Sequence, residues 1–147
     1  MQVVDSVSSI LKSKGSEVWS VSPSSPVFEA IEKMAEKQVG ALAVVSEGQL
    51  VGVISERDYA RKVILQGRSS KETPVAEIMT RPAITVTPQH TVEECMKLMT
   101  EKRIRHLPVM DEGRLAGVVS IGDLVKWIIT AHEQTIAHLE NYITGRY

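Results

Sequence analysis

The feature that most constrains this chain is an internal repeat. Shifting the sequence by 65 residues aligns residues 16–65 with residues 81–130 without a gap, and about a third of the aligned positions are identical. The clearest match sets Glu47-Gly-Gln-Leu-Val-Gly-Val53 against Glu112-Gly-Arg-Leu-Ala-Gly-Val118. Self-similarity at a fixed spacing indicates that one structural unit has been duplicated. The fold therefore has to be built from two related halves.

Each copy contains the same predicted elements in the order β-α-β-β-α. A short extended piece leads through a proline-bearing turn into a helix, two valine-rich runs form a hairpin, and a second helix closes the copy. Apolar residues at i, i+3, i+4 and i+7 predict the buried face of the first helix. These residues are Val27, Ala30, Ile31 and Met34 in the first copy and Val92, Cys95, Met96 and Met99 in the second. The extended pieces are residues 18–21 and 83–86, and the hairpin runs are residues 41–45, 50–54, 107–110 and 115–119.

The predicted fold class is α+β (α/β), with two β-α-β-β-α units packed sheet to sheet in pseudo-twofold symmetry. One such unit has too little core to be stable alone, and a second unit supplies the missing partner. We expect a first domain at residues 7–65, a polar linker at residues 66–74 and a second domain at residues 75–130. The first residues of each domain, Val7–Leu11 and Val75–Met79, also resemble one another.

The same polar pattern stands where the hairpin of each copy meets its closing helix. Gly52-Val-Ile-Ser55-Glu-Arg-Asp58 and Gly117-Val-Val-Ser120-Ile-Gly-Asp123 share the form Gly-apolar-apolar-Ser-x-x-Asp. Ser-x-x-Asp is a capping box, which by itself explains both residues. Alternatively, the helix N-terminus receives phosphate or hydroxyl oxygens, the carboxylate accepts bonds from a ribose diol, and the glycine lets a ring approach the backbone. Both interpretations stay open on the motif alone.

Together, the two junctions and the two Glu-Gly-x-Leu-x-Gly-Val hairpins resemble a tandem pair of CBS (cystathionine-β-synthase-type) domains, also called a Bateman module. The resemblance runs from Val7 to about Thr130 and is to stand-alone signalling proteins of bacterial and archaeal type. It implies a regulatory module that binds AMP, ADP, ATP, NAD(H) or S-adenosylmethionine in clefts between the units. We expect AMP first, with NAD(H) or ATP as alternatives, and no catalytic cofactor.

The resemblance also implies which residues bind the ligand. Asp58 and Asp123 hold the ribose, with Ser55 and Ser120 beside ribose or phosphate. Val39, Ile84 and Ile104 are expected to bury the adenine, and Gly40, Ala41 and Pro108 are further expected contacts of the nucleotide. The weaker candidates Thr80 and Thr85 flank the first predicted strand of the second copy.

Basic residues distinguish the two copies, which suggests two unequal clefts. Arg105 and His106 stand where the first copy has Gly40 and Ala41, and arginine suits phosphate through paired hydrogen bonds. The alternatives are a solvated turn that contains Arg103 and Arg105, and a packed, hydrogen-bonded His106. Arg57 and Arg61 lie in the first turns of a helix, where cations oppose the helix dipole unless an anion is near. Phosphate contact competes there with pairing of Arg61 to Asp58 or Glu56.

Composition excludes several classes of protein. A net charge of −1 gives no electrostatic footprint for nucleic acid or an anionic membrane, and no apolar run is long enough to span a bilayer. The start of the chain lacks the basic and apolar regions of a secretion signal, so we predict a cytoplasmic protein. The single cysteine, Cys95, precludes an internal disulfide and is assigned to the core. The four histidines lack metal-ligand spacing, and no catalytic residues are indicated, so we predict a protein that is not an enzyme.

A C-terminal helical extension, residues 131–147, continues the last helix of the second copy. Leu124, Ile128, Ala131, Thr135, Leu139 and Ile143 recur at helical spacing, and Trp127, Ile129, Ile136 and Tyr142 widen the stripe. The stripe either folds back on its own chain or forms a contact between subunits, and we favour a homodimer through the CBS units and this helix. The predicted function is an adenine-nucleotide-binding regulator of an unknown effector protein. The alternative is a ligand-free structural or protein-interaction module in which the Ser-x-x-Asp boxes only cap helices.

Overall fold

The structure, a computed structural model, describes residues 5–15 and 17–144, except for the side chains of residues 134–136, 138, 139 and 142. The first part of the chain forms α1 (Val7–Lys14), β1 (Ser20–Val21), α2 (Val27–Lys37), β2 (Ala41–Ser46), β3 (Gln49–Ser55) and α3 (Glu56–Tyr59), which continues as a π-helical turn at Ala60–Ile64. The second part forms a 3-10 turn (Val75–Glu77), α4 (Val92–Lys102), β4 (His106–Asp111), β5 (Arg114–Ser120) and α5 (Ile121–Thr144). The mixed α+β class and the long last helix are confirmed.

The first helix of each copy forms as its apolar spacing predicts. Val27, Ala30 and Met34 of α2 are buried, as are Val92, Cys95 and Met99 of α4. At the start of α4, the Thr91 hydroxyl accepts the Glu94 amide and the Glu94 carboxylate accepts the Thr91 amide, which is the predicted capping box. Both helices end on a residue in the left-handed conformation, Gln38 (φ 56°) and Arg103 (φ 55°).

Both hairpins turn through Glu-Gly with two positive φ angles. These are 51° and 76° at Glu47 and Gly48, and 49° and 78° at Glu112 and Gly113. Such a turn matches the right-handed twist of the strands it joins, which fixes their register. In the first hairpin the register sets Ala41 opposite Ser55. The start of β2 therefore lies beside the end of β3, where the Ser-x-x-Asp pattern begins.

The predicted extended piece of the second copy, residues 83–86, is not a strand. In the first copy, β1 pairs parallel to β2, and the Ala43 amide donates to the Trp19 carbonyl over 3.3 Å. Pro108 occupies the position equivalent to Ala43, and proline has no N–H to donate. Only Val86 makes an isolated bridge in that stretch. The prediction was wrong because Pro108, in the neighbouring strand, cannot donate the backbone hydrogen bond that Ala43 donates in the first copy.

The described chain packs as two compact units that do not coincide with the two sequence copies. Residues 5–15, 86–107 and 119–144 form one unit, and residues 17–85 and 108–118 form the other. In the first unit, α1 packs against α5, and the Val7 amide donates to the His90 carbonyl over 2.8 Å. Helix α1 thus belongs to the same packing unit as α4 and α5, the two long helices of the second copy.

Residues 66–80 are built into the other unit. The Val27 amide donates to the Thr73 carbonyl and the Phe28 amide to the Ser70 carbonyl, over 2.8 and 2.9 Å. Val75, Ile78 and Met79 complete a core with α2, β2, β3 and the π-helical turn. The segment expected to act as a linker therefore covers the N-terminus of α2.

Cys95 is fully buried on α4, as the spacing predicts. Desolvation, with a smaller contribution from the nearby charge of Glu94, raises the pKa of the Cys95 thiol to about 11. The thiol therefore stays protonated at neutral pH and acts as an apolar core residue.

One side of α5 is partly covered by its own chain. Leu124 is fully buried, and Trp127 Nε1 donates to Asp5 Oδ2 over 2.7 Å. Val125, Ile129 and Ile143 are exposed by 41%, 51% and 81%. Thr135, Ile136, Leu139 and Tyr142, which the predicted stripe includes, have side chains outside the described part of the chain.

Candidate functional site

A capping box forms at the junction of β3 and α3. The Ser55 hydroxyl accepts the Asp58 amide, and the Asp58 carboxylate accepts the Ser55 amide, each over 3.1 Å. The first helical amide, that of Glu56, donates to the Gly40 carbonyl over 3.0 Å. The residues just before β2 are therefore fixed at the helix N-terminus, beside the carboxylate.

The Asp58 carboxylate has further partners within its own unit. Lys62 Nζ lies 3.1 Å from Asp58 Oδ1 and also donates to the Ile78 carbonyl over 3.0 Å. The Thr80 hydroxyl donates to the same carboxylate over 3.3 Å. The Asp58 side chain is only 12% exposed. A ligand that uses this carboxylate has to displace a lysine and a threonine hydroxyl.

The junction of β5 and α5 repeats the arrangement with a different cation. The Ser120 amide donates to Asp123 Oδ2 over 2.8 Å, and the Asp123 amide donates to the Ser120 hydroxyl over 3.1 Å. Lys14 Nζ, at the end of α1, lies 2.7 Å from the same Oδ2 atom. The Asp123 side chain is 23% exposed, about twice the value at Asp58. Burial would raise the pKa of Asp123, but the bonds from Lys14 and Ser120 outweigh it and hold the pKa below its ordinary value.

Arg105 and His106 lie next to this second junction. The Ile121 amide donates to the Arg105 carbonyl over 2.8 Å, as the Glu56 amide does to Gly40 in the first copy. His106 is half-buried. Burial lowers the pKa of His106; the charge of Asp123 opposes this shift, and Lys14 and Arg105 add to it. The second junction therefore combines a carboxylate with a neutral imidazole and two cationic side chains.

The lowered pKa of His106 predicts that acid destabilises the ligand-free protein. Below about pH 6.5 the unfolded chain binds a proton at this residue more readily than the folded one, so the free energy of unfolding falls as the pH falls. We expect the His106→Gln variant to lose less thermal stability than the wild type between pH 7.5 and 5.5. Asp123 stays ionised throughout this range because its pKa is below its ordinary value.

The measurement is the melting temperature at several pH values, with His132→Gln as the control because His132 is an exposed residue of α5. The control should keep the slope of the wild type. An unchanged slope in His106→Gln would show that His106 does not titrate as its surroundings imply.

The remaining predicted site residues fall into the same two units. The unit around Asp58 holds Val39, Gly40, Ala41, Ser55, Arg57, Arg61, Thr80, Ile84, Thr85 and Pro108, and the unit around Asp123 holds Ile104, Arg105, His106 and Ser120. Arg57, Arg61 and Thr85 are exposed, whereas Ala41 and Pro108 are buried. The cation on Asp58 is Lys62, not Arg61 as the pairing alternative proposed.

Gly52 is approached closely by the chain itself. A Cβ at this position would lie 2.8 Å from the Thr80 carbonyl oxygen and 2.9 Å from Met79 Sδ. The neighbouring Val53 pairs with Thr80 through two backbone hydrogen bonds, of 3.1 and 2.8 Å. The missing side chain at Gly52 thus makes room for Met79 and Thr80, whereas the sequence suggested room for a ligand ring.

Two residues at the junctions were missed from the sequence. Lys62 stands four residues after Asp58 on the same helical segment, a spacing that favours ion pairs and was a usable signal. Lys14 is 109 residues from Asp123, and no local pattern indicates that contact.

Among the side chains that the structure describes, no three His, Cys, Asp or Glu residues are grouped so that they could hold a metal ion. Within the same part of the chain, no helix has both the length and the apolar character needed to cross a membrane.

Comparison with known proteins identifies the family. The CBS domain family matches residues 7–64 and 75–130. The mitochondrial CBS domain-containing protein CBSX3 of Arabidopsis thaliana is 44% identical over 96% of this chain and 73% of its own length. A solved protein with CBS domains from Burkholderia ambifaria is 52% identical, with a TM-score of 0.82 over 85% of this chain and 94% of its own.

A more distant structure was solved with ligands. The CBS domain pair of protein MJ0100, in complex with 5′-methylthioadenosine and S-adenosyl-L-methionine, is 26% identical, with a TM-score of 0.77 over 87% of this chain and 98% of that one. The fold, the two junctions and these matches agree. The chain belongs to the CBS domain family and contains a tandem pair of CBS domains.

Proposed function

We propose that this CBS domain pair binds an adenine nucleotide and reports the bound state to an effector protein. AMP is the first candidate, with NAD(H) and ATP as alternatives. The observation that carries the proposal is the Asp123 junction, where a partly exposed carboxylate stands at a helix N-terminus beside Arg105, His106 and Lys14. A ribose diol donates hydrogen bonds, which suit the carboxylate, and a phosphate suits the cations.

The adenosine ligands in the related MJ0100 pair support the chemical class of the ligand. In the proposed complex Asp123, Asp58 or both hold the ribose, with Ser120 and Ser55 beside it. At the Asp123 site the phosphates meet Arg105 and His106, and the adenine packs on Ile104. At the Asp58 site the phosphates meet Arg57 and Arg61, and the adenine packs on Val39 and Ile84. The other proposed contacts are Gly40, Ala41, Thr80, Thr85 and Pro108.

The two carboxylates should not bind equally well. Asp58 is the less exposed and is held by Lys62 and Thr80 from its own unit, so a ligand there replaces two partners. Asp123 is more exposed, and a ligand there replaces one partner, Lys14. We therefore assign the stronger site to Asp123 and the weaker one to Asp58.

Signalling by the module follows from linkage. A nucleotide shifts the protein only by its differential affinity for two conformations, and a partner that prefers one of them senses the ligand. We propose a cytoplasmic homodimer, formed through the CBS units and the last helix, as the form that does this. The exposed Val125, Ile129 and Ile143 of α5 support that contact.

The alternative is a structural module without a ligand. It is favoured by one specific observation: both Ser-x-x-Asp boxes already make their reciprocal capping bonds, which gives the aspartates a role in stability. Under this alternative the aspartates can be needed for folding while no nucleotide binds.

A thermal-shift panel separates the two functions. AMP, ADP, ATP and NADH are added to the full chain, with GMP as the control that keeps the ribose and phosphate but changes the base. A ligand present at 100 times its Kd stabilises the folded state by about 2.7 kcal/mol, which raises the melting temperature of a chain of this size by roughly 5–10 °C. We expect such a rise with at least one adenine nucleotide and a smaller one with GMP. No rise with any adenine nucleotide at millimolar concentration would support the structural alternative.

A further inference from the structure

Lys14 forms an ion pair with Asp123, the carboxylate that binds the ribose in the proposed function. Its Nζ atom lies 2.7 Å from Asp123 Oδ2, and the two side chains are 38% and 23% exposed. We propose that Lys14 is a specificity-determining residue that makes the Asp123 site select adenosine ligands with a 5′-phosphate over unphosphorylated adenosine. This inference rests on the proposed function, because it concerns the same site.

Lys14 is delivered to the site by an anchored helix. Val7 and Ile10 of α1 are buried, and the Val7 and Ser8 amides donate to the His90 and Pro88 carbonyls over 2.8 and 2.9 Å. The helix ends at Lys14. The next residue, Gly15, has a φ of +94°, and its amide donates to the Leu11 carbonyl. The backbone of Lys14 is thus fixed, so it is the Lys14 side chain that has to move away from Asp123 when a ligand binds.

A ribose and the Lys14 ammonium compete for one acceptor. Asp123 Oδ2 already accepts the Ser120 amide over 2.8 Å as part of the capping box, which the helix keeps. With the Lys14 ammonium also on Oδ2, both acceptor positions of that oxygen are filled. A diol that donates one hydroxyl to each carboxylate oxygen therefore displaces the ammonium from Oδ2. A displaced ammonium loses a charge-assisted hydrogen bond, which makes this exchange unfavourable unless another anion receives it.

A 5′-phosphate supplies that anion. It belongs to the same sugar as the diol, within the range of a flexible four-carbon side chain. The surroundings are otherwise cationic, because Lys14 and Arg105 both lie near enough to His106 to disfavour its protonation. Adenosine lacks the phosphate, so it would have to displace Lys14 without offering a new partner.

The test is calorimetric titration of AMP and adenosine into the full chain. Three proteins are compared: the wild type, Lys14→Met, and Lys12→Met as a matched control from an exposed position on the same helix. We expect the wild type to prefer AMP by about 100-fold or more, the gain expected from one to two charge-assisted bonds. In Lys14→Met, AMP should bind more weakly and adenosine more tightly, so that the preference falls at least about tenfold. Lys12→Met should keep the preference of the wild type, and Lys14→Arg should retain most of it.

Each other outcome is decisive. An unchanged ratio in Lys14→Met overturns the inference, as does an equal loss of affinity for both ligands, which would make Lys14 a general support of the site. If the wild type binds AMP and adenosine equally, the inference fails while the proposed function stands. If neither AMP nor ADP, ATP or NADH binds the wild type, the proposed function fails and takes the inference with it.

Discussion

Asp123→Ala is expected to weaken AMP binding by about 100-fold or more. In the proposed complex, the substitution removes the carboxylate that accepts two ribose hydrogen bonds, and each hydrogen bond to a charged group contributes about 1.5–3 kcal/mol. Calorimetric titration of the variant and the wild type with AMP gives the ratio of the two affinities. Asp58→Ala should have the smaller effect, because Asp58 is held by Lys62 and Thr80 and is assigned to the weaker site.

A matched control separates binding from capping, since Asp123→Ala also removes a helix cap. Glu94→Ala deletes the equivalent carboxylate from the capping box of α4, which has no proposed role in binding. It should lower the melting temperature, as loss of a cap does, and leave the affinity for AMP unchanged. Equal affinities for AMP in Asp123→Ala and Glu94→Ala would show that Asp123 does not hold the ribose.

Gly52→Ala should reduce the free energy of unfolding by about 2–3 kcal/mol, the range expected when an atom is added where there is no room. The new Cβ would lie 2.8 Å from a backbone oxygen, that of Thr80, and a backbone atom cannot move aside as the end of a side chain can. To relieve the contact, the Val53–Thr80 pairing has to open. For a chain of this size the melting temperature should fall by roughly 4–12 °C.

Gly122→Ala provides the comparison for this prediction. A Cβ there would meet its nearest atom, the Ser120 hydroxyl oxygen, at an ordinary 3.6 Å. In the first turn of α5, alanine also favours the helix more than glycine does, so this variant should be as stable as the wild type or slightly more stable. If both variants unfolded at the same temperature, the close approach at Gly52 would have no energetic consequence.

Local patterns predicted most of the framework. The 65-residue shift predicts two copies of each element, and the spacing of Val27, Ala30 and Met34 predicts the buried face of α2. Short-range hydrogen bonds give the Ser-x-x-Asp and Thr-x-x-Glu boxes their form, so their residues can be recognised within four positions. These features involve neighbours in the sequence, which is why the sequence reveals them.

Contacts between distant residues could not be predicted in the same way. The Lys14–Asp123 pair and the packing of α1 with α5 join segments more than 100 residues apart. The absence of a strand at residues 83–86 depends on Pro108, a residue of a different element. Gly52 was expected to leave room for a ligand ring. The segment that fills this space, Met79–Thr80, belongs to the second predicted domain, and no local pattern indicates its contact with Gly52.

These distant contacts also explain how two copies of one unit come to have different chemistry. Each junction makes the same kind of capping bonds. The carboxylate of the first is paired with Lys62, four residues away, whereas that of the second is paired with Lys14 from α1. In the proposed complex, a ribose that displaces Lys14 from Asp123 changes the contacts of the N-terminal helix. Such a change is a physical route by which a partner could sense the bound nucleotide.

Calorimetric titration of the wild-type chain with AMP tests the central claim most directly. Binding through the Asp123 junction predicts saturable binding with a Kd below one millimolar, about −4.1 kcal/mol or more favourable. If AMP, ADP, ATP and NADH all fail to bind below millimolar concentration, the Ser-x-x-Asp boxes are helix caps alone and the nucleotide-sensing account is wrong.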